Sequence, residues 1–193
     1  MKQIAVFCGS ALGSNCAFAK AAENLGTILA QRKLTLIYGG GNIGLMGKLA
    51  SSALNAGGHV IGVIPRFMMD KEIGKIELPD LRIVGSMHER KALMSELADG
   101  FVALPGGFGT LEEMSEILTW GQLGLHQKPF GLLNIAGFYD HFLAFLDHAV
   151  TRGLIKTKHR ALLLTADDPT ALLDQMAQWK PTLTNKWITP ERT

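Results

Sequence analysis

Phe101-Val-Ala-Leu-Pro-Gly-Gly-Phe-Gly-Thr-Leu-Glu-Glu-Met-Ser-Glu116 is the stretch that indicates the fold most directly. Its first four residues form a short apolar run with the length and composition of a buried strand. Pro105 ends that run, and the glycines after it give the backbone freedom and allow close approach. Apolar residues at helical spacing then predict an amphipathic helix from Thr110 to about Leu123. The stretch therefore predicts a strand, a glycine turn and a helix in immediate succession.

The glycine turn of this stretch is a candidate anion site. Gly106, Gly107 and Gly109 precede the predicted helix, whose first backbone N–H groups have no partner inside the helix. Such groups point toward one place and favour an anion such as phosphate. Glu113 follows one turn into the predicted helix, so its carboxylate would face a phosphorylated ligand. Thr110 and Glu113 also fit a capping box with Thr110 as N-cap, an alternative that requires no ligand.

The same succession of apolar runs and amphipathic segments recurs along the chain. Strands are predicted at residues 4–8, 34–38, 59–64, 81–84, 101–104, 130–133 and 161–164, and helices at 16–32, 45–56, 86–98, 110–123, 139–152 and 169–179. Strict alternation of the two predicts a parallel sheet covered by helices on both faces. The expected fold class is α/β, a single Rossmann-like doubly wound domain of about seven parallel strands. In such sheets ligands bind beyond the carboxyl ends of the strands, where all the glycine turns lie.

The domain is expected to span residues 1–180, followed by an irregular C-terminal tail at residues 181–193. Residues 66–80 show no clear periodicity and are predicted to form a loop with a short helical turn.

Composition excludes several classes of protein. The chain has 193 residues, 47% hydrophobic and 19% charged, which is typical of a soluble globular protein. A net charge of +2 gives no reason to expect a nucleic acid or a membrane surface as partner. Cys8 and Cys16 lack the spacing of a disulfide framework or a zinc site, and the histidines lack ligand spacing, so no metal is expected. Free thiols fit a cytoplasmic location.

A second glycine turn follows the second predicted strand. Gly39-x-Gly41-x-x-Gly44 matches the dinucleotide-binding fingerprint in form. The next strand is followed by Pro-Arg, where NAD binding would require an acidic residue for the ribose, so NAD is disfavoured. A phosphate-binding turn is the preferred interpretation. Packing of helix against sheet is the alternative for Gly44 and Gly47.

The segment Ser86-Met-His-Glu-Arg-Lys91 opens the fourth predicted helix. Ser86 and Glu89 fit a capping box, which assigns Glu89 to structure. Arg90 and Lys91 stand one turn into the helix, where positive charge opposes the helix macrodipole. Two cations at this end indicate an anion nearby. A solvated basic helix face is the alternative.

Pro105-Gly-Gly-Phe-Gly-Thr-Leu-Glu-Glu113 resembles the PGGxGTxxE signature of the LONELY GUY (LOG) family, without departure. These proteins are cytokinin riboside 5'-monophosphate phosphoribohydrolases, long labelled lysine decarboxylases. The resemblance runs from Phe7-Cys-Gly-Ser10 through Tyr38-Gly-Gly-Gly to the helix ending near Arg152. It implies Arg90 and Glu113 as catalytic residues. It also implies a substrate- or phosphate-binding set consisting of Ser10, Gly40, Gly41, Glu72, Lys91, Gly106, Gly107, Phe108, Gly109, Thr110, Leu111, Glu112 and Thr119.

Two members of this set also have ordinary interpretations. Glu72 lies in the irregular loop and, from the sequence alone, is a surface acid. The Thr119 hydroxyl fits a hydrogen bond back to the carbonyl of Ser115 in its own helix.

The resemblance implies hydrolysis of the N-glycosidic bond of adenine-type nucleoside 5'-monophosphates, namely cytokinin ribotides and AMP. The products would be the free base and ribose 5-phosphate, with no cofactor and a homodimeric enzyme. Glu113 would stabilise an oxocarbenium-like ribose and orient water. The alternative is a non-catalytic nucleotide- or cofactor-binding module similar to molybdenum-cofactor carrier proteins. Decarboxylation is rejected because pyridoxal phosphate needs a Schiff-base lysine with an acidic partner for its ring nitrogen, and Lys91 on a basic turn does not supply that setting.

Overall fold

The structure is a computed structural model that describes residues 1–69 and 78–181. Its strands are β1 Gln3–Phe7, β2 Thr35–Tyr38, β3 Val60–Pro65, β4 Asp80–Val84, β5 Gly100–Ala103, β6 Phe130–Leu133 and β7 Leu163–Ala166. Its α-helices are α1 Cys16–Gln31, α2 Gly44–Asn55, α3 Met87–Leu97, α4 Phe108–Leu123, α5 Asp140–Thr151, α6 Thr157–Arg160 and α7 Pro169–Gln178. Short 3-10 turns occupy Arg66–Met68 and Ile135–Gly137.

The seven strands form one sheet in the order β4-β3-β2-β1-β5-β6-β7, and every neighbouring pair is parallel. The predicted Rossmann-like doubly wound fold is therefore confirmed. Strands β1 to β4 follow one another outward on one side of the sheet, and β5 to β7 do so on the other. Strands β1 and β5 therefore pair with each other at the centre. Their following loops diverge to opposite faces, which opens a crevice at the carboxyl edge of the sheet.

Helices cover both faces of the sheet, which explains the nearly unbroken apolar runs of its central strands. Alternate residues of β1 point to opposite faces. Ile4 and Val6 pack in a core with α1, α2 and α7, whereas Ala5 and Phe7 pack in a core with α3, α4 and α5. In the second core the ring of Phe101 stacks on Phe7 at a centroid distance of 6.3 Å. Strong burial on both faces holds the edge of the sheet, and with it the loops, in one place.

The start of α4 differs from the sequence prediction. The helix begins at Phe108 with Gly107 as its N-cap residue, so Thr110 is its third residue and not its cap. The predicted capping box of Thr110 and Glu113 is wrong. The reason is tertiary packing: the hydroxyl of Thr110 lies under the turn, so close that a Cβ on Gly106 would overlap it.

The last strand is also shifted from its prediction. β7 occupies Leu163–Ala166 instead of residues 161–164, since the chain before it forms the short helix α6. Pairing with β6 sets Leu132 opposite Thr165. The predicted turn after β3 is present at Arg66–Met68. Residues 70–77 and all of the predicted tail except Pro181 lie outside the described residues.

Within the described ranges, no helix combines the length and the apolar character needed to cross a membrane.

Helices α1 and α2 pack closely against each other at Gly26. A Cβ on Gly26 would overlap the carbonyl oxygen of Leu49, so the two helices would have to separate. The glycine therefore sets the spacing of these two helices, and α2 in turn carries the second glycine turn at its N-terminus.

Gly26→Ala is expected to lower the free energy of unfolding by about 1–2 kcal/mol, because overpacking outweighs the better helix propensity of alanine. Urea unfolding followed by circular dichroism measures the change. Asn24→Ala, at an exposed position of the same helix, is the matched control and should leave stability unchanged or slightly raised. A Gly26→Ala protein as stable as the wild type would contradict the close contact.

Candidate active site

The loops at the sheet crevice are joined through one residue that follows β1. The N–H of Gly9 donates to the carbonyl of Pro105 at 3.0 Å, and the carbonyl of Gly9 accepts from the N–H of Leu45 at 3.1 Å. Gly9 thus connects the loop after β1 to both glycine turns. The turns after β2 and β5 are held at a fixed separation around one crevice.

The N-terminus of α4 faces solvent at this crevice. Gly107, Phe108 and Gly109 are exposed, and in the described part of the chain no side chain caps this end. The amides of the first turn lack partners inside the helix, and the helix dipole adds positive potential there. This end is suited to an anion such as a phosphate group. Phe108 is 93% exposed and stands at the rim.

A pocket of about 270 Å³ opens beside this helix end. One side is lined by the loop that starts at Gly9 and by the turn at Gly106 and Gly107. Its apolar wall is formed by Phe18, Leu45 and Phe138. The pocket can therefore receive a molecule with one charged and one apolar part.

A buried ion pair stands where α3 and α4 meet. The Nη2 atom of Arg90 lies 3.5 Å from Oε1 of Glu113, and the two side chains are 8% and 10% exposed. A solvated basic face is therefore the wrong interpretation of the start of α3. Nε of Arg90 is buried and finds no hydrogen-bond acceptor among the described residues. Buried guanidinium and carboxylate groups are costly to desolvate, and they are retained most often where they have a chemical task.

The capping residues of α3 fix where Arg90 stands. The hydroxyl of Ser86 accepts from the N–H of Glu89 at 3.1 Å, as predicted. The carboxylate of Glu89 accepts from the N–H of Gly85 at 2.7 Å, which confirms the structural assignment of that acid. The cap sets the first turn of α3 and with it the direction of the Arg90 side chain.

The second glycine turn makes room for the guanidinium of Arg90. A Cβ on Gly39 would lie within overlap distance of the Nη2 atom of Arg90. Gly44 packs against the backbone of Ser10, and Gly47 against the carbonyl of Asn42. These neighbours lie in the loop after β1 and in the turn before α2, so the packing of helix against sheet that was the alternative for Gly44 and Gly47 is not what these contacts show.

Cys8 lies beside the ion pair but is not a nucleophile. Burial raises the pKa of its thiol far above the usual range, the Glu113 carboxylate raises it further, and Arg90 offsets only part of the effect. Because the thiolate is the reactive form of cysteine, this thiol stays protonated and inert.

Lys91 does not face the crevice as a free charge. It is buried, and its Nζ lies 2.5 Å from Oε1 of Glu112 and 3.0 Å from Oε2 of Glu116. The Glu112 contact is a hydrogen bond, whereas the Glu116 contact is an ion pair without hydrogen-bond geometry. The role of Lys91 as a substrate contact stays a prediction.

The other predicted binding residues fall into several places. Ser10 lines the pocket, and Gly40 adopts a φ of +75° in the turn before Gly41. Leu111 is half-buried and packs against the core with α3 and α5, and its part in binding stays a prediction. Glu72 lies outside the described residues.

Thr119 is not brought to the pocket. Its hydroxyl donates to the carbonyl of Ser115 at 2.7 Å, the alternative that the sequence offered. Its side chain lines a separate groove between α4 and α5. Within one chain, therefore, the described structure does not place Thr119 beside Arg90 and Glu113.

Two contacts were missed by the sequence analysis. Gly9 joins the two turns, and Gly39 admits Arg90. Each glycine directly follows a predicted strand, which is the available signal, but the partner of each comes from a distant part of the chain. In the described ranges no group of three or more His, Cys, Asp or Glu side chains is arranged to hold a metal ion.

Comparison with known proteins agrees with the motif. The profile of a family described as "Possible lysine decarboxylase" matches residues 46–176. A protein of Oryza sativa subsp. japonica named "Probable cytokinin riboside 5'-monophosphate phosphoribohydrolase" is 50% identical over 180 residues, which cover 93% of this chain and 79% of the rice protein. A cytokinin riboside 5'-monophosphate phosphoribohydrolase of Arabidopsis thaliana is 47% identical over 180 residues, with 93% and 79% covered.

Among solved structures, the molybdenum cofactor binding protein of Rippkaea orientalis is similar with a TM-score of 0.69 at 22% identity, covering 92% of this chain and 97% of that one. At this identity the likeness concerns the fold alone. The sequence relatives are much closer and extend over the glycine turns, Arg90 and Glu113. The chain therefore belongs to the LONELY GUY family that its PGGxGTxxE signature indicated.

Proposed function

We propose that the protein hydrolyses the N-glycosidic bond of adenine-type nucleoside 5'-monophosphates and releases the free base and ribose 5-phosphate. The observation that carries the proposal is the buried pair of Arg90 and Glu113 beside an uncapped helix N-terminus. Relatives that are 47% to 50% identical bear the name of this activity on cytokinin riboside 5'-monophosphates.

The phosphate end of the substrate is assigned to the glycine turn and the start of α4. The first-turn amides at Phe108 and Gly109 offer donors to phosphate oxygens, and the helix dipole favours the dianion. Glycine at residues 106 and 107 lets the backbone come close to the phosphate without a Cβ in the way. This contact fixes one end of the nucleotide, so that the ribose extends toward the ion pair.

Glu113 is assigned to the ribose. Departure of the base leaves positive charge on the ribose ring, and a fixed carboxylate in a site of low dielectric stabilises that charge more than water does. The same carboxylate can orient a water molecule toward C1'. Burial of Glu113 at 10% side-chain exposure keeps it in one position, so little reorganisation is needed during the reaction.

Arg90 is assigned to the nucleotide and its leaving base. Its Nε, for which the described residues offer no acceptor, is a donor held at the site, and its Nη2 keeps Glu113 in place. In the balanced reaction, water supplies the hydroxyl at C1', the C1'–N bond breaks, and the remaining proton of that water goes to the base. Arg90 favours this departure by donating to the base as negative charge develops on it.

Cytokinin ribotides and AMP are both proposed as substrates. They share the adenine nucleotide that the phosphate site, Arg90 and Glu113 would hold.

The decarboxylase description of the family profile has no support in the site. A Schiff-base lysine must lose its proton to react, whereas the carboxylates of Glu112 and Glu116 outweigh burial and raise the pKa of Lys91. Cofactor binding without catalysis, as in molybdenum-cofactor proteins, rests on a shared fold alone. The homodimer and the cytoplasmic location stay predictions from the resemblance and from the free thiols of Cys8 and Cys16.

Glu113→Gln is expected to lower kcat by about 100-fold to 1,000-fold, because it removes the charge that stabilises the transition state. Purified protein is incubated with AMP and with isopentenyladenosine monophosphate, and free base and ribose 5-phosphate are separated by chromatography. Glu96→Gln, an exposed acid on α3, is the control and should retain wild-type rates. Faster release from the prenylated nucleotide would support cytokinin activation, and similar rates would support general nucleotide salvage. Nucleotide binding without release of base by the wild type would overturn the hydrolase proposal.

Gly39→Ala is expected to lower kcat/KM by about 10-fold to 100-fold, because the new methyl group would displace the Arg90 guanidinium from Glu113. Gly121→Ala is a matched control on α4. Its Cβ would likewise meet a planar side-chain group, the ring of His126 at 3.2 Å. No nucleotide contact is proposed at that place. Wild-type activity of Gly39→Ala would show that the position of Arg90 is not needed.

A further inference from the structure

We propose that Lys91 is a positioning residue which, together with Glu116 and Glu112, sets α4 against α3 and so keeps Glu113 against Arg90. This inference rests on the proposed function, since it concerns how the reacting groups of that reaction are held. It gives a different role to the lysine that the family resemblance assigned to substrate contact.

The geometry joins the two helices through neighbouring residues. Arg90 on α3 reaches Glu113 on α4 at 3.5 Å. Lys91, the next residue of α3, reaches Glu112, the residue before Glu113, at 2.5 Å. Glu116, about one turn further along α4, adds a second contact to Lys91 at 3.0 Å.

The charge balance around Lys91 speaks against a phosphate partner. One ammonium group faces two carboxylates, so the three side chains together carry a net negative charge. A phosphate group near them would meet repulsion from Glu112 and Glu116. A lysine that serves a phosphate presents its charge as a donor to that anion, whereas the charge of Lys91 is already matched inside the protein.

Burial explains why the contact is specific. A lysine is almost never buried unless it is paired, yet the side chain of Lys91 is only 8% exposed. Burial alone lowers the pKa of this amine, but the two carboxylates outweigh it and the pKa is raised. The ammonium form is thus held in place between α3 and α4.

Two contacts at adjacent positions define an orientation that one contact does not. Successive side chains of a helix diverge by about 100° and rise by about 1.5 Å. A rotation of α4 that kept Arg90 near Glu113 would therefore break the contacts of Lys91. The carboxylate of Glu113 is therefore fixed both around and along the axis of α4. Displacements near 1 Å are enough to lower the rate about 100-fold.

The test compares Lys91→Met and Glu116→Gln in kcat and KM for AMP. If Lys91 is a positioning residue, both variants lower kcat by about 10-fold or more and leave KM within about threefold. If Lys91 binds the phosphate, Lys91→Met raises KM, whereas Glu116→Gln leaves kcat unchanged and lowers or retains KM. The second pattern overturns the proposal. Glu96→Gln on α3 again serves as the control for the loss of an acid.

Two further variants sharpen the outcome. Lys91→Arg should keep kcat within about threefold of the wild type, because a guanidinium can pair with both carboxylates. In the double variant Lys91→Met/Glu116→Gln, the loss in kcat should be close to that of Lys91→Met alone, since loss of the lysine already removes its contacts with both carboxylates. Additive losses would overturn the proposal.

Urea unfolding of the wild type, Lys91→Met, Glu116→Gln and the double variant separates this proposal from the proposed function. Lys91 and Glu116 should show non-additive effects on the unfolding midpoint whether or not the wild type releases base. An inactive wild type with coupled midpoints would overturn the hydrolase and leave the contact between α3 and α4 established. Midpoints without coupling would overturn the contact itself.

Discussion

Reversal of the strand order between β1 and β5 is the constraint on which the rest of the structure depends. Two parallel neighbours whose following loops run to opposite faces leave a crevice at the carboxyl edge of the sheet. Gly9 crosses this crevice with hydrogen bonds to Pro105 and Leu45. The uncapped N-terminus of α4 and the second glycine turn are thereby held at the same edge of the sheet.

Buried charge is the second constraint, and it is concentrated where α3 and α4 meet. Arg90, Lys91 and Glu113 are all buried, and the carboxylates of Glu112 and Glu116 complete their pairing. Desolvation of so many ionised groups costs free energy that apolar side chains would not cost. The proposed role of Glu113 accounts for this cost, because a carboxylate held in one orientation needs little reorganisation during the reaction.

Much of the architecture could be predicted from the sequence, because strands of a parallel sheet buried on both faces consist of nearly continuous apolar runs. All seven strands and the larger helices were predicted, and the cap of α3 at Ser86 was correct. The errors have local causes. The spacing of Thr110 to Glu113 fits a capping box, the alternative that the sequence offered, but Thr110 packs under Gly106 as the third residue of the helix. The short helix α6 displaced the start of β7.

The sequence by itself determined the alternation of strands and helices, the glycine turns and the family signature, and through the family resemblance it predicted Arg90 and Glu113 as reacting groups. These are properties of neighbours along the chain, where spacing and residue type suffice. Only the tertiary structure decided that Gly39 makes room for Arg90 and that Lys91 is held by Glu112 and Glu116. Such pairings join residues from different helices and turns, and their distances follow from how the helices pack on the sheet, which no local pattern records.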